Sequence, residues 1–441
     1  MSQTLITQDE AASIILAYAF SGAIGSPKGK GVTYALVNAM ETTFTWLTAL
    51  EDYDGSSVPV DRYLIRVDRQ SQEVSNLGLL QISELDLAEA ILAATGQHLD
   101  SSARFCDGLM SISYKVKVQE DPDIAYVVQL RHYGRVASMD YLMTLIEDNI
   151  DHATLPVPSV HPIPGEKIRQ QITGWGRQIS RFIPGEMADT VYPLLSHEEK
   201  HVLVQRMALA FQACWQIQLP QPHLIGELIW DEDSGFRVGP DRHFGLGGPF
   251  QSVREYLQAH VRSAFVALQK QEGIEEFKSR FQDRIEQFIE RRGHDIPATV
   301  EDVPIVAVHA DMGLHNVIVS KEAPTELEAI IDWEFIASAL YASLDDVIET
   351  LFREPAANGF GREYDRADEL RGAFWDAIPI WKAYNESNAT ESFLEWHRFG
   401  RFLKPEAPPS GSSVKEQEKF WEENIRVVKR MLDRYSCSYG C

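Results

Sequence analysis

Residues 305–319, IVAVHADMGLHNVIV, place a group of polar side chains between two apolar segments. Both apolar segments are rich in β-branched residues, and we expect them to form buried strands. The polar side chains at the strand ends are His309, Asp311, His315 and Asn316. A buried polar group must be hydrogen bonded or bound to a metal ion to offset the loss of its hydration. Such a cluster adds little stability, so its position indicates a functional site.

A further carboxylate follows the next apolar segment, at Asp332 in the sequence IIDWE. Phosphoryl transfer needs a carboxylate that orients the attacking hydroxyl and oxygen ligands that hold Mg²⁺ against the phosphates. Asp311 has the chemistry for the first task, and Asn316 and Asp332 have it for the second. The pattern His-x-Asp-x-x-x-x-Asn also has the spacing of the protein-kinase catalytic loop, and Asp332 takes the place of the aspartate in Asp-Phe-Gly. Together these residues predict a phosphoryl-transfer site.

The Asp-Trp-Glu sequence at 332–334, the small Ala310 and the pair His315 and Asn316 make the chain resemble the aminoglycoside phosphotransferase-like kinases. The resemblance covers roughly residues 100–350. It implies an α+β, bilobal protein-kinase-like fold, with a small β-rich amino-terminal lobe and a large, mainly helical carboxyl-terminal lobe. It also implies ATP and Mg²⁺ as cofactors, with transfer of the γ-phosphoryl group to a hydroxyl of a small metabolite.

The same resemblance implies a role for each matching residue. Asp311 would be the catalytic base, and His309 would support it structurally. The magnesium ligands would be Asn316 and Asp332. The hinge segment, which contacts adenine through backbone groups, would consist of Arg181, Phe182 and Ile183.

The amino-terminal part departs from the family pattern. The turn that would cover the phosphates has Gly108 as its only glycine, so Ser111 or Ser113 would have to assist. Where the family has a Lys or Arg for the phosphates, the chain has Gln129. Strand alternation puts Arg131 on the same face, and we predict that Gln129 and Arg131 contact the nucleotide, with Arg131 as the cation. Substitutes for this cation are Lys115 and Lys117, and candidate acidic partners in the next helix are Asp140 and Glu147.

Three regions are predicted along the chain. Residues 1–100 are interpreted as a helical extension of the amino-terminal lobe, residues 101–183 as the β-rich nucleotide-binding lobe, and residues 184–441 as a mainly helical lobe with the catalytic loop and the acceptor site. Residues 111–118 and 124–131 predict a hairpin. Ser83 and Ser196 have the pattern of helix N-caps. Acceptor specificity is expected in the helical insert of residues 184–301 and in the carboxyl-terminal helices.

Composition limits the possible partners. The chain has 441 residues and a formal net charge of −24, with 65 acidic against 41 basic side chains. A general nucleic-acid or membrane-surface protein needs clustered cations, so neither class is expected. Four cysteines are too few for a disulfide framework, which favours the cytoplasm. The acidic surface favours a neutral or cationic hydroxyl acceptor, and no obligate protein partner is evident.

Two other functions remain open from the sequence. A metal-dependent hydrolase would use the ligand set His309, Asp311, His315 and Asp332. A catalytically inactive, kinase-like binding protein is suggested by the uncharged Gln129 and by the lack of a clear acidic partner in the helix that follows.

Overall fold

The computed structural model describes residues 11–15, 30–39, 43–52, 62–68, 70–72, 74–79, 82–105, 112–132, 140, 143, 146, 153–173, 175–231, 235–241, 245–355, 361–408 and 411–436. The chain divides into two compact units. The first comprises Met1–Leu145 and Pro158–Ile183, and the second comprises Ile146–Val157 and Pro184–Cys441. One division thus falls between Ile183 and Pro184, where the sequence predicts a lobe boundary. The predicted separation at residue 100 lies inside the first unit.

The helical interpretation of residues 1–100 is wrong for the described residues of the segment 30–79. Its strands β1 (Lys30–Ala39), β2 (Thr43–Asp52), β3 (Arg62–Asp68) and β4 (Val74–Leu79) form an antiparallel sheet in that order. Strand β2 has the sequence TFTWLTALED, in which threonine alternates with aromatic residues. β-Branched and aromatic side chains pack well on a pleated surface, and this preference favours strands here. Helix is found at residues 11–15 and in the segment after β4.

The second sheet of the first unit contains the predicted hairpin, which is confirmed. Its order is β5 (Leu99–Arg104), β6 (Ile112–Val118), β7 (Ala125–His132) and β8 (Trp175–Arg181), all antiparallel. Helix α1 (Glu84–Thr95) packs with this sheet, and Ile91, Val116 and Ile179 are fully buried between them. As predicted, Ser83 caps α1 by accepting a hydrogen bond from the Asp86 N–H.

Helix α2 (Glu166–Thr173) contributes a buried ion pair to the first unit. Arg177 on β8 contacts Glu166 at 2.6 Å between Nη2 and Oε2, and both side chains are buried. Additional hydrogen bonds run from the Arg177 Nε and backbone N–H to the same carboxylate. These bonds satisfy charges that would otherwise lose hydration without compensation.

The second unit supplies most of the helices. They are α3 (Ala188–Val191), α4 (His197–Trp215), α5 (Val253–Lys270), α6 (Glu275–Arg292), α7 (Asp345–Glu349), α8 (Ala367–Ala377), α9 (Pro379–Asn385), α10 (Asn388–Phe402), α11 (Val414–Phe420) and α12 (Glu422–Ser436). Helix α4 begins with the predicted capping box, in which Ser196 and Glu199 satisfy each other's backbone N–H groups. In the described part of the chain, no helix is both long and apolar enough to cross a membrane.

Two small sheets of the second unit position the polar cluster. One has the order β14 (Leu327–Ile330), β13 (Val317–Val319), β9 (Glu186–Met187), and the other has the order β11 (Gly235–Gly239), β10 (Gly226–Asp231), β15 (Ile336–Leu340), β12 (Ile305–His309). His309 at the end of β12 pairs with Ile336 at the start of β15. The segments between β12 and β13 and between β14 and β15 therefore meet. The predicted α+β class is confirmed, with a β-rich first unit and a mainly helical second unit.

Candidate active site

His309 ends β12 with its side chain fully buried. Its Nε2 donates to the carbonyl of Ile331 at 3.0 Å, and its Nδ1 accepts from the backbone N–H of Asp311 at 3.2 Å. These two partners assign the proton to Nε2. Burial lowers the pKa of His309, so the ring stays neutral and keeps both bonds at neutral pH. The ring therefore ties the backbone of Asp311 to the residue that precedes Asp332.

Asp311 is the centre of a hydrogen-bonded group. Its Oδ1 lies 3.1 Å from Nε2 of His315, and its Oδ2 accepts from Nδ2 of Asn316 at 3.0 Å. The same Asn316 amide also donates to the Asp311 backbone carbonyl at 2.9 Å. The Asp311 side chain is nevertheless 42% exposed, so a small molecule can approach its carboxylate. The structure thus brings together three of the polar residues singled out in the sequence.

The contacts of Asp311 set its ionisation. Burial would raise the pKa of this carboxyl, but the hydrogen bond and charge of His315, with the smaller contributions of His309 and Asn316, hold the pKa below its ordinary value. Conversely, the hydrogen bond to Asp311 raises the pKa of His315. Both shifts have the signs of one attractive interaction. Asp311 is therefore an ionised carboxylate at neutral pH.

Gly313 leaves the space that the His315 ring occupies. A Cβ atom at this position would lie 2.7 Å from Cε1 and 2.8 Å from Nδ1 of His315. Real Cβ atoms do not approach other atoms so closely, so a larger residue would displace the ring. The glycine therefore supports the contact between His315 and Asp311.

Asn316 and Asp332 have the chemistry of magnesium ligands. Because the Asn316 NH₂ group faces the acceptor-only carboxylate of Asp311, its carbonyl oxygen is the atom left for a metal ion. The Asn316 backbone carbonyl accepts from Ile331 N–H at 2.9 Å, which holds the following residue, Asp332, beside this turn. Mg²⁺ takes few protein ligands and completes its octahedron with water and phosphate oxygens. One amide and one carboxylate therefore fit this ion.

Asp332 adopts a backbone conformation that few residue types accept. Its φ of 62° and ψ of 49° lie in the left-handed region, just before the short 3-10 turn Trp333–Phe335. Aspartate and asparagine enter this region more readily than other non-glycine residues. Trp333 fixes the turn, because its buried indole donates from Nε1 to the Ile330 carbonyl at 2.8 Å and its ring contacts His309.

The structure contradicts the ligand set of the metal-dependent hydrolase, because His309 is not available as a metal ligand. Both nitrogens of this ring bond to backbone groups, so neither can also bind a metal ion. Among the residues that the structure describes, no three His, Cys, Asp or Glu side chains are grouped to hold one. Asn316 and Asp332 remain the predicted magnesium ligands.

A cavity of about 370 Å³ opens beside Asp311. We call it the Asp311 cavity; its walls include Asp189, His315, Asp346, Tyr364 and Arg401. Asp346 is buried and forms an ion pair with Arg401. The volume is within the range of small-molecule sites. A hydroxyl compound can therefore reach the Asp311 carboxylate from within the second unit.

The sequence did not single out the acids of α7. Asp346 pairs with Arg401, and its neighbour Asp345 contacts Arg398 at 2.6 Å. Burial raises the pKa of Asp345, although Arg398 opposes the shift. The two acids begin α7, after the 3-10 turn Tyr341–Leu344 that follows β15. Their arginine partners lie 53 and 55 residues further along, where no local pattern connects them.

The first unit holds an uncharged polar pair where the family pattern has a cation. Gln129 on β7 lies opposite Gln178 on β8, and Gln178 donates from Nε2 to Oδ1 of Asp140 at 2.9 Å. Gln178 and Asp140 are both buried. Asp140, one of the two candidate acidic partners, therefore bonds a neutral amide. Gly108, Ser111 and the side chain of Arg131 lie outside the residues that the structure describes. The backbone of Arg131 is part of β7.

The predicted hinge residues already use part of their backbone. Arg181 N–H donates to the Ser159 carbonyl at 2.8 Å, and Phe182 N–H donates to the Ala125 carbonyl at 2.9 Å. An adenine contact would therefore have to use carbonyl groups of the segment, or Ile183. Lys115, one of the proposed substitutes for the phosphate cation, lies over the Phe182 ring with Nζ 3.7 Å from its centroid.

Comparison with known proteins gives one match to a family. The family model described as the phosphotransferase enzyme family, APH, matches residues 111–375, which is more than half of the chain. No curated protein matches the sequence.

Several solved structures resemble the chain at low sequence identity. A gentamicin complex of APH(2'')-IIa is 13% identical over 80% of this chain and 97% of that chain, with a TM-score of 0.46. The GDP complex of aminoglycoside 2'-phosphotransferase-IIIa is 9% identical over 80% and 100%, with a TM-score of 0.43. A protein described as a fructosamine-3-kinase from Thermobifida fusca YX-ER1 is 12% identical over 79% and 100%, with a TM-score of 0.45.

Proposed function

Because the chain belongs to the phosphotransferase enzyme family and is a small-molecule kinase acting on hydroxyl groups, we propose that it transfers the γ-phosphoryl group of ATP and that Asp311 is its catalytic base. The observation that carries the proposal is the hydrogen-bonded group formed by Asp311, His315 and Asn316. It combines an ionised, accessible carboxylate with an amide oxygen suited to Mg²⁺. These are the two requirements of phosphoryl transfer to an alcohol.

In the proposed step, the acceptor oxygen attacks the γ-phosphorus. A new oxygen–phosphorus bond forms while the bond to the oxygen that bridges the β- and γ-phosphorus breaks, and ADP leaves with that oxygen. The hydroxyl proton passes to the Asp311 carboxylate. A carboxylate with a lowered pKa is a weak base, so its main task is to orient the hydroxyl and to receive the proton late.

The other predicted residues have supporting roles in this proposal. Asn316 and Asp332 hold Mg²⁺, which when bound neutralises the negative charge of the phosphates. His309 keeps the backbone of Asp311 in place through its two hydrogen bonds. The nucleotide contacts proposed from the family pattern are Gly108, Ser111, Gln129, Arg131, Arg181, Phe182 and Ile183.

Replacement of the base tests the proposal. We expect Asp311→Asn to lower kcat by about 10²- to 10⁴-fold, because the amide keeps the side-chain shape but cannot accept the proton. The measurement is ADP release during a metabolite screen, with the phosphorylated product identified by mass spectrometry. Asp368→Asn is the matched control, because that side chain is 98% exposed on α8. Undiminished turnover in Asp311→Asn would exclude Asp311 as the base.

A second candidate function is a kinase-like binding protein without transfer activity. It is favoured by the neutral pair of Gln129 and Gln178, where the family pattern has a cation, and by the bond from Gln178 to Asp140. Such a protein would gain thermal stability with Mg²⁺ and ATP without forming ADP. Comparison of wild type with Asp332→Ala separates the two cases. For the kinase, the variant should lose both the stabilisation and ADP formation, whereas the binding protein has no ADP formation to lose.

A further inference from the structure

A second cavity, of about 380 Å³, adjoins the Asp311 cavity. The two cavities share Asp346, Val347 and Arg401 as lining residues. Ala310, the residue immediately before Asp311, also lines the second cavity, which we call the apolar cavity. The apolar cavity therefore borders the proposed reaction site.

The walls of the apolar cavity are mainly aliphatic and aromatic. They come from β10, β12, β15, α5, α7, α10 and neighbouring loop residues, all within the second unit. The larger apolar side chains are Leu246, Phe250, Tyr256, Phe335 and Ile336. The Phe250 and Tyr256 rings pack edge to face, with their centroids 6.0 Å apart. This lining favours a ligand with rings or other apolar surface to bury.

Two histidines extend the aromatic wall without adding charge. The rings of His260 on α5 and His397 on α10 are stacked, with their centroids 4.7 Å apart and their planes 9° apart. His260 donates from Nε2 to the His397 carbonyl at 3.1 Å. Gly400 permits this packing, since a Cβ there would lie 2.5 Å from Cδ2 of His260. Burial keeps both rings neutral at neutral pH, because it lowers the pKa of each.

The charges around the cavity nearly balance. Its lining contains the acids Glu227, Asp241 and Asp346 and the cations Arg401 and Lys404. The ion pair between Asp346 and Arg401 neutralises the one of these three acids that also lines the Asp311 cavity. A ligand with several positive charges would lose its hydration against these mainly apolar walls. The acids of the lining would do little to offset this loss, because the cations nearly balance them. An uncharged ligand has no such cost.

We propose that the apolar cavity binds the ring-bearing part of the phosphoryl acceptor, and that this acceptor is an uncharged alcohol with an aromatic or alicyclic group. The proposal rests on the proposed function and narrows its acceptor from neutral or cationic to neutral. The alcohol oxygen reaches Asp311 alongside Asp346 and Val347, which line both cavities. The bonds made and broken are those of the proposed step. The cavity volume lies within the range of small-molecule sites.

Two small alcohols of opposite character test the acceptor class. 3-Phenylpropan-1-ol is uncharged and carries a ring, whereas 1,3-diaminopropan-2-ol is dicationic and has none. At equal concentration with Mg²⁺ and ATP, we expect the aromatic alcohol to increase ADP release at least tenfold more than the diamine does. The proposal is overturned if the diamine is the better acceptor or if both alcohols increase ADP release equally above the background rate.

A variant that fills the cavity tests the location. Ala337 on β15 lines the apolar cavity, and Ala337→Leu adds three carbon atoms there. We expect this variant to lose at least tenfold in kcat/KM for 3-phenylpropan-1-ol while it keeps a cooperative thermal transition. Val266→Leu is the control, because Val266 lies on α5 and is 48% exposed. Equal kcat/KM in wild type and Ala337→Leu would refute the cavity as the site.

Binding without nucleotide separates this proposal from the proposed function. We expect 3-phenylpropan-1-ol alone to raise the melting temperature of the wild type and not that of Ala337→Leu. If this difference is found but no alcohol yields ADP, the cavity assignment stands and the kinase proposal fails. If ADP forms but the melting temperatures show no such difference, the cavity assignment fails and the kinase proposal stands.

Discussion

Asp311 forms a hydrogen bond with His315, a residue that the pattern His-x-Asp-x-x-x-x-Asn does not specify. His315 donates to its carboxylate at 3.1 Å and shares the small space left by Gly313. A hydrogen bond to a charged group contributes about 1.5 to 3 kcal/mol. In the proposed mechanism His315 is a positioning residue, which holds one carboxylate oxygen of Asp311 and leaves the rest of the carboxylate to the acceptor.

Gly313→Ala tests this arrangement at the scale of a single Cβ atom. The added atom would force the His315 ring away, so we expect kcat to fall about tenfold, which corresponds to about 1.4 kcal/mol. His315→Ala should lower kcat by a similar factor. Because both changes remove the same contact, the double variant should fall no further than His315→Ala alone. Multiplicative losses in steady-state ADP release would contradict the shared mechanism.

The sequence indicates which polar side chains contact one another where they lie close along the chain. Asp311, His315 and Asn316 lie within six residues, and the structure joins them directly. The sequence does not indicate the ion pair between Asp346 and Arg401, because residues 55 positions apart form no local pattern. The roles of the individual side chains in catalysis stay predictions until the variants are measured.

Gly185 lies just before β9, and the backbone there approaches β13 closely. A Cβ here would lie 2.4 Å from Cγ2 of Ile318 and 2.6 Å from the Val319 carbonyl, both on β13. Since β13 directly follows Asn316, any shift of this strand also moves a proposed metal ligand.

For Gly185→Ala, we expect a loss of about 1 to 3 kcal/mol of unfolding free energy from overpacking, measured by urea denaturation. Gly372→Ala provides the opposite case. Gly372 lies within helix α8, and a Cβ there has no neighbour within 4 Å. Its replacement should stabilise the protein by about 0.5 to 1 kcal/mol. A neutral effect of Gly185→Ala would show that β9 and β13 can separate without cost.

Packing between α5 and α10 should make stability depend on pH. Burial lowers the pKa of His260 to about 4 and that of His397 well below its ordinary value. The neighbouring cations Lys404, Arg401 and Arg398 act in the same direction. Below about pH 6.5 the unfolded chain takes up protons that the folded chain does not bind.

Stability should therefore be full above pH 6.5 and decline as the pH falls towards 5, by about 1.4 kcal/mol per pH unit for each buried histidine. His397→Phe should flatten this decline, because phenylalanine stacks on His260 without titrating. The control is His223→Phe, at an exposed position. Urea midpoints at several pH values between 7.5 and 5 measure the slopes. Equal slopes for wild type and His397→Phe would contradict the assignment.

Elements were predictable where their ends are fixed by nearby residues. Ser83 and Ser196 cap α1 and α4 through hydrogen bonds that span three residues, which a sequence pattern can show. Segment 30–79 was misassigned because its strands are defined by pairing with one another along the sheet. The alternation of threonine and aromatic residues in β2 was the available evidence for a strand.

The net charge of −24 acts on the whole molecule. Self-repulsion disfavours a compact state, and salt screens it. Surface ion pairs respond in the opposite direction, but each contributes only about 0 to 1 kcal/mol. We expect the melting temperature to rise by several degrees between 20 and 300 mM NaCl, with the same rise in KCl because the effect is screening. A fall with either salt would show that ion pairs outweigh repulsion.

For the whole molecule, the sequence gives more information on the division of the chain into units than on its cavities. The length implies two bodies, and one division lies between Ile183 and Pro184. The apolar cavity, by contrast, combines residues from position 225 to position 404. Its shape depends on how the insert helices pack against α10, and this packing is set by contacts between segments that are remote in sequence.

The left-handed backbone of Asp332 also determines how this position would behave in a deep mutational scan. Glycine and asparagine accept the same dihedral angles, so cells should accumulate those variants at near-normal abundance. Neither supplies a carboxylate, so both should score poorly for turnover. β-Branched residues should fail in both scores because they disfavour positive φ. The position would thus separate selection for folding from selection for catalysis within a single codon.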